Sequence, residues 1–180
     1  MNKKNVYIHT MYFVVCAIIG WCYEVFLEVV IYKWGFSDRG VLFGPYCPIY
    51  GFGSIIFLVC LFPILKNKNK ILKWFKIPIV FVGCAIIATL IELLATYILE
   101  ALTGSWPWQT YADYDINFQA RIALSPSLRF GIGGVVFLFI LYPLFIRATS
   151  KLSEKSSKII AITSASILLI DLVLTIIIRN

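Results

Sequence analysis

The sequence predicts an all-α polytopic membrane bundle of about five spans, and three observations carry that prediction. Of 180 residues, 61% are hydrophobic and only 14% are charged, where a soluble domain would hold about a quarter charged residues. The apolar residues gather into five runs, near 8–32, 50–65, 77–103, 129–146 and 159–178; a span needs roughly 20 mostly apolar residues to cross about 30 Å of hydrocarbon. The basic residues fall between the runs, alternating in density from one connection to the next. A bundle this small is a single integral membrane domain covering 1–180.

The first run follows Lys3 and Lys4, as a signal peptide would, but no small-residue cleavage site succeeds it. It continues instead into Trp21, Cys22, Tyr23 and Glu24, which reads as a retained span. Residues 35–53 come next, GFSDRGVLFGPYCPIYGFG. Their prolines and glycines forbid a simple helix until after Pro48. Apart from Asp38 and Arg39 the stretch is apolar and aromatic, so it is expected to dip back into the membrane against protein, where its amides can be satisfied.

The second and fourth runs are short unless their glycine-rich approaches also lie within the membrane. Residues 104–130, between the third and fourth runs, are rich in Trp and Tyr, as chain lying at an interface is. The two halves run parallel: Glu24 and Glu92 sit at similar depths in their helices, and Arg39 and Arg121 each precede a proline and a pair of glycines. That suggests a parallel two-helix repeat with the fifth span appended.

The net charge of +7 does not point to nucleic acid, because the charge is distributed by side. Lys3 and Lys4, then Lys66 to Lys76, then Arg147 to Lys158 hold eleven of the 16 basic residues. Alternation puts all three clusters on one side, which the positive-inside bias makes the cytoplasm. The expectation is a multi-pass membrane protein with its N-terminus inside. Its basic loops then face anionic headgroups of the lipid bilayer.

Five of the nine acids fall inside the runs: Glu24, Glu28, Glu92, Glu100 and Asp171. A charge at mid-bilayer costs roughly 3 kcal/mol. Glu24 and Glu28 share a helix face, and Glu24 stands about 24 Å from the inner end of its helix. Candidate cationic partners, Arg39, Arg121 and Arg129, belong to the outer segments. The pattern points to an ion or substrate pathway built from Glu24, Glu28, Arg39, Glu92 and Arg121, with Trp21 one turn away lining it. The alternative is that buried Glu–Arg pairs merely pin the loops; for Glu100 and Asp171 that structural role is the better reading.

His9 is the only histidine, and the five cysteines show no CxxC spacing, so no metal centre or cofactor is expected. No Walker loop, HExxH or GxSxG is present.

The stretch WCYE at 21–24 followed by DRGVLFGPYCPIYGFG at 38–53 resembles the signature of the ABC-transporter type IV, or CmpB-like permease, family of small bacterial membrane proteins. Gly40, Gly44, Pro45, Pro48, Tyr50, Gly51 and Gly53 carry the resemblance. A later family pattern survives as Trp108, Tyr111, Asn117, Arg121 and Ile122, with Gln109 where the family has Asp and Ala120 where it has Gly. The resemblance implies a permease-like membrane protein. Its expected partners are the bilayer, a separate ATPase or other membrane subunits, or further copies of itself.

Two other functions fit the residues. Paired glutamates and an arginine could serve an intramembrane enzyme acting on a lipid at the outer leaflet. A structural or regulatory subunit would use the same acids only for packing.

Overall fold

In a computed structural model describing residues 3–68 and 70–179, the five apolar runs are five helical spans, Lys3–Ile31, Pro48–Lys66, Trp74–Thr103, Leu124–Thr149 and Glu154–Ile178. They are built from α1 (Lys3–Phe26), α2 (Pro48–Lys66), α3 (Lys70–Thr103), α4 (Leu124–Val136), α5 (Tyr142–Thr149) and α6 (Glu154–Arg179). The glycine-rich approaches do belong to the second and fourth spans. Gly51 and Gly53 lie in the first turns of α2, and Gly131 to Gly134 lie within α4. Pro48 opens α2, a position where a missing N–H removes no helical bond.

Two spans contain π-turns. Leu27–Ile31 continues α1, and Phe137–Leu141 joins α4 to α5. The second has a local cause in Pro143, whose ring would clash with the carbonyl four residues before it in a regular helix. Past the first, the chain turns out through Lys33 and Gly35, at φ 55° and 89°. These left-handed residues end the helix.

The chain divides into two compact units. The first comprises Met1–Ile55 and Tyr142–Asn180. Here α1 packs along α6, and Tyr12 meets Tyr142 and Phe145 with ring centroids 5.3 and 5.2 Å apart. The segment that follows the first span folds back beside α1. The Cys47 amide donates to the carbonyl of Ala17 at 2.9 Å, fourteen residues before the end of the first span, or about 21 Å along its axis. Ala17, Leu42 and Tyr46 form a buried cluster there, closed by Leu168 of α6.

The second unit is Ile56–Leu141, in which α3 packs along α4. The segment between α3 and α4 carries a 3₁₀ turn, Gln109–Asp113, and a small antiparallel hairpin pairing Asn117 with Ala123 and Phe118 with Ile122. The hairpin turns through Gln119 and Ala120 at φ 53° and 54°. The chain then returns along α3 until Thr89 bonds Ser127 at 2.7 Å, again about 21 Å from the helix end.

The same contacts recur in both units. A Cβ on Gly51 would lie 2.8 Å from the ring and carbonyl of Phe13, and one on Gly131 would lie 2.7 Å from the ring of Phe81. Cys16 meets Ser54, and Cys84 meets Gly134. Positions in the first helix recur 68 residues on (13 and 81, 16 and 84), and those in the return helix recur 80 on (51 and 131, 54 and 134). Glu24 and Glu92 obey the first offset.

Candidate functional site

In the first unit, Glu28 lies in the π-turn that ends the first span and is 5% exposed. Its carboxylate accepts the Ser37 hydroxyl at 2.6 Å, the Ser37 amide at 3.1 Å and the Arg39 guanidinium at 2.9 Å. A π-turn adds a residue to the helical turn and re-aims the side chains that follow, which is why such turns cluster at functional sites. The two partners of the ion pair are unequally buried: the Glu28 side chain is 6% exposed and that of Arg39 31%.

One turn earlier, Glu24 accepts a hydrogen bond from the Tyr50 hydroxyl. The Tyr50 ring rests on Gly20 so closely that a Cβ there has no room. Trp21 donates its indole N–H to Asp38 at 3.3 Å and lies edge-on to Phe36. Three of the residues nominated from sequence, Glu24, Glu28 and Trp21, are thus tied to residues 36–50, and Arg39 closes on Glu28.

The signature loop is held by three anchors. Cys47 bonds back to Ala17, and its thiol contacts the Arg39 carbonyl at 3.8 Å. Gly40, at φ 98°, lies against that thiol. Asp171 of the last span supplies the third anchor. It accepts the amides of Phe43 and Gly44 at 2.9 and 2.7 Å and the Tyr46 hydroxyl at 2.6 Å. Burial and the Asp171 carboxylate push the Tyr46 hydroxyl up to about 12. Burial, reinforced by Glu24 and Asp38, does the same to the Cys47 thiol, also to about 12.

In the second unit, Glu92 is 5% exposed and accepts the Tyr111 hydroxyl at 2.7 Å. Arg121 is 9% exposed and pairs with Glu100 at 2.5 Å. Its guanidinium lies between the rings of Tyr97 and Trp106, at 4.3 and 4.2 Å, a stacked geometry that suits its planar charge. The indoles of Trp106 and Trp108 donate to the carbonyls of Ala120 and Arg121. Arg129 turns to Tyr114 and Ser125.

Sequence reasoning gave no site role to Ser37, Asp38, Tyr46 or Tyr111. Ser37 and Asp38 had a signal, since they directly precede Arg39 in an otherwise apolar loop. Tyr111 stood in the later family pattern, but nothing set it apart as a partner for Glu92 in a segment where aromatics abound. Among the described residues, no group of three His, Cys, Asp or Glu side chains could hold a metal ion.

Five apolar spans with irregular, hydrogen-bonded segments folded back between them define a multi-pass membrane protein. The pattern of the family described as "Putative ABC-transporter type IV" matches residues 11–176, so the chain belongs to that family. No curated protein and no solved structure matches it.

Proposed function

We propose that this chain is a permease-like transport component in which Glu28 and Glu24 bind a cation or the cationic part of a polar solute, with Arg39 as the displaceable counter-charge. The observation that carries this reading is the ion pair between buried Glu28 and half-exposed Arg39. A carboxylate so little exposed needs a positive partner. The arginine can leave for water at smaller cost, because part of it already touches solvent. A cationic solute that takes its place keeps the carboxylate neutralised and releases the loop. Differential affinity for the two loop positions then shifts the protein between them.

On the positive-inside bias, this site opens outward from a bacterial plasma membrane, with the N-terminus cytoplasmic. Glu92 and Arg121 act in the second unit, the first as an acid of the pathway and the second as the anchor of the other outer segment. The chain contains no nucleotide-binding loop, so ATP-driven movement would use a separate subunit.

The test is binding and uptake by the full chain in lipid vesicles, using a panel of small cations and cationic solutes. A ligand that stabilises the wild type against heat is expected to lose that effect in Glu28→Gln. If Glu28→Gln and Arg39→Ala insert, fold and take up every member of the panel as the wild type does, the reading fails.

A further inference from the structure

The first unit places more polar groups along its first span than the candidate site uses. Positions 12, 16, 20, 24 and 28 form one i, i+4 stripe, which winds round the helix by about 40° at each step. The stripe holds Tyr12, Cys16, Gly20, Glu24 and Glu28. His9 stands one turn before it, and its ring lies 6.4 Å from that of Tyr142, which also packs on Tyr12. From His9 to Glu28 the helix rises about 28 Å, close to the hydrocarbon thickness of about 30 Å.

Two observations distinguish this stripe from ordinary packing. The Tyr12 hydroxyl is fully buried, in a residue 1% exposed, with the weakly accepting Cys16 thiol beside it and no oxygen or nitrogen partner among the described residues. A buried hydroxyl with only a thiol beside it is poorly satisfied, and such groups are commonly satisfied by internal water. The second unit serves as an internal control. Where the first unit has Tyr12 and Ser54, the repeat offsets give Val80 and Gly134, and the intervening Cys84 is as buried as Cys16. The same helix pairing is therefore achieved without either hydroxyl.

We propose that the first unit carries a proton path along span one, with Tyr50 as its gate. Glu24 lies on one side of the gate; Tyr12, Ser54 and, beyond them, His9 lie on the other. The Tyr50 ring covers Gly20, the one position of the stripe without a side chain, and its bond to Glu24 holds it there. When that bond breaks and the ring swings off, water enters the space over Gly20. A proton that Glu24 takes up from the solvent on its side of the gate then passes to that water, restoring the carboxylate, and moves through water and the Ser54 and Tyr12 hydroxyls. In each hop one O–H bond breaks as the next forms, so every hydroxyl ends neutral and one proton arrives on the His9 imidazole. This deepens the proposed function by naming the coupling ion, and it rests on that reading only for the role of Glu24.

The test is passive proton flux into vesicles containing the full chain, read with a trapped pH dye under a valinomycin-clamped potassium gradient. Wild type, with the ring on Gly20, is expected to show little flux over protein-free vesicles. Tyr50→Ala should raise the flux at least about tenfold, and adding Tyr12→Phe should return it to the wild-type level. Tyr50→Phe keeps the ring, removes the latch to Glu24, and should raise the flux by a smaller factor, which keeps the test open if the alanine variant does not fold. Flux unchanged in both Tyr50 variants overturns the path, as does flux that persists when Tyr12→Phe is added. Loss of solute binding in Glu28→Gln does not enter this readout, so the two proposals fail separately.

Discussion

The carboxylate of Asp171, on the last span, accepts the backbone amide of Gly44 at 2.7 Å, far away in sequence. Together with its bonds to Phe43 and Tyr46, this satisfies irregular backbone folded back deep beside the first span, where unbonded amides would be intolerable in lipid. Asp171→Ala would leave two amides and a hydroxyl without their acceptor, at about 1–3 kcal/mol each before relaxation. A clear fall in the thermal unfolding midpoint in detergent is expected, and an unchanged midpoint would contradict the anchoring role.

Alkaline pH should release the same loop. The folded chain raises the Tyr46 hydroxyl and the Cys47 thiol to about 12, from ordinary values of 10.0 and 9.0. A raised acid binds its proton more tightly in the folded state, so this stabilisation is complete below about pH 9 and is lost as pH climbs toward 12. Maleimide labelling of Cys47, followed by peptide mass mapping, should be slow at pH 8 because very little thiolate exists there. It should accelerate in Asp171→Ala.

Unequal burial predicts an order among the ion-pair variants. Arg39→Ala strands a buried carboxylate and should cost about 3–5 kcal/mol, whereas Glu28→Gln leaves an arginine that can reach water and should cost less. The double variant should be milder than the sum of the two, since the groups share one interaction. Chemical unfolding of all three variants checks the order; equal single costs would argue against it.

The glycine contacts can be tested in both units at once. Gly51→Ala and Gly131→Ala force a methyl group into Phe13 and Phe81 and should each destabilise by about 1–3 kcal/mol. Gly53 and Gly133, two residues further on, have open space where a Cβ would go, so their alanine variants should unfold near the wild-type temperature.

The five spans were legible because lipid imposes long apolar runs, and the family was legible from the run around Gly40 to Gly53. The start of the second span at Pro48 could be read from proline chemistry alone. The pairing of Arg39 with Glu28 was one of several arginine–acid pairings the sequence allowed, and only the fold-back of the loop selects it. Asp171 was read as structural. Its target could not be read, because backbone amides carry no sequence label. The π-turn at Leu27–Ile31 has no proline to announce it, unlike its counterpart before Pro143. Tyr50 stood in the signature for its place in the motif, while its bond to Glu24 depends on how closely Gly20 lets the two helices approach.

The recurring offsets of 68 and 80 residues carry one consequence. Two helical hairpins of like geometry share the contacts that set backbone spacing, here a phenylalanine on a glycine in each. Hydroxyls beside those contacts are free to be gained or lost. One hairpin has Tyr12 and Ser54 at its centre where the other has Val80 and Gly134, so one carries groups able to do chemistry while the other keeps only the shape.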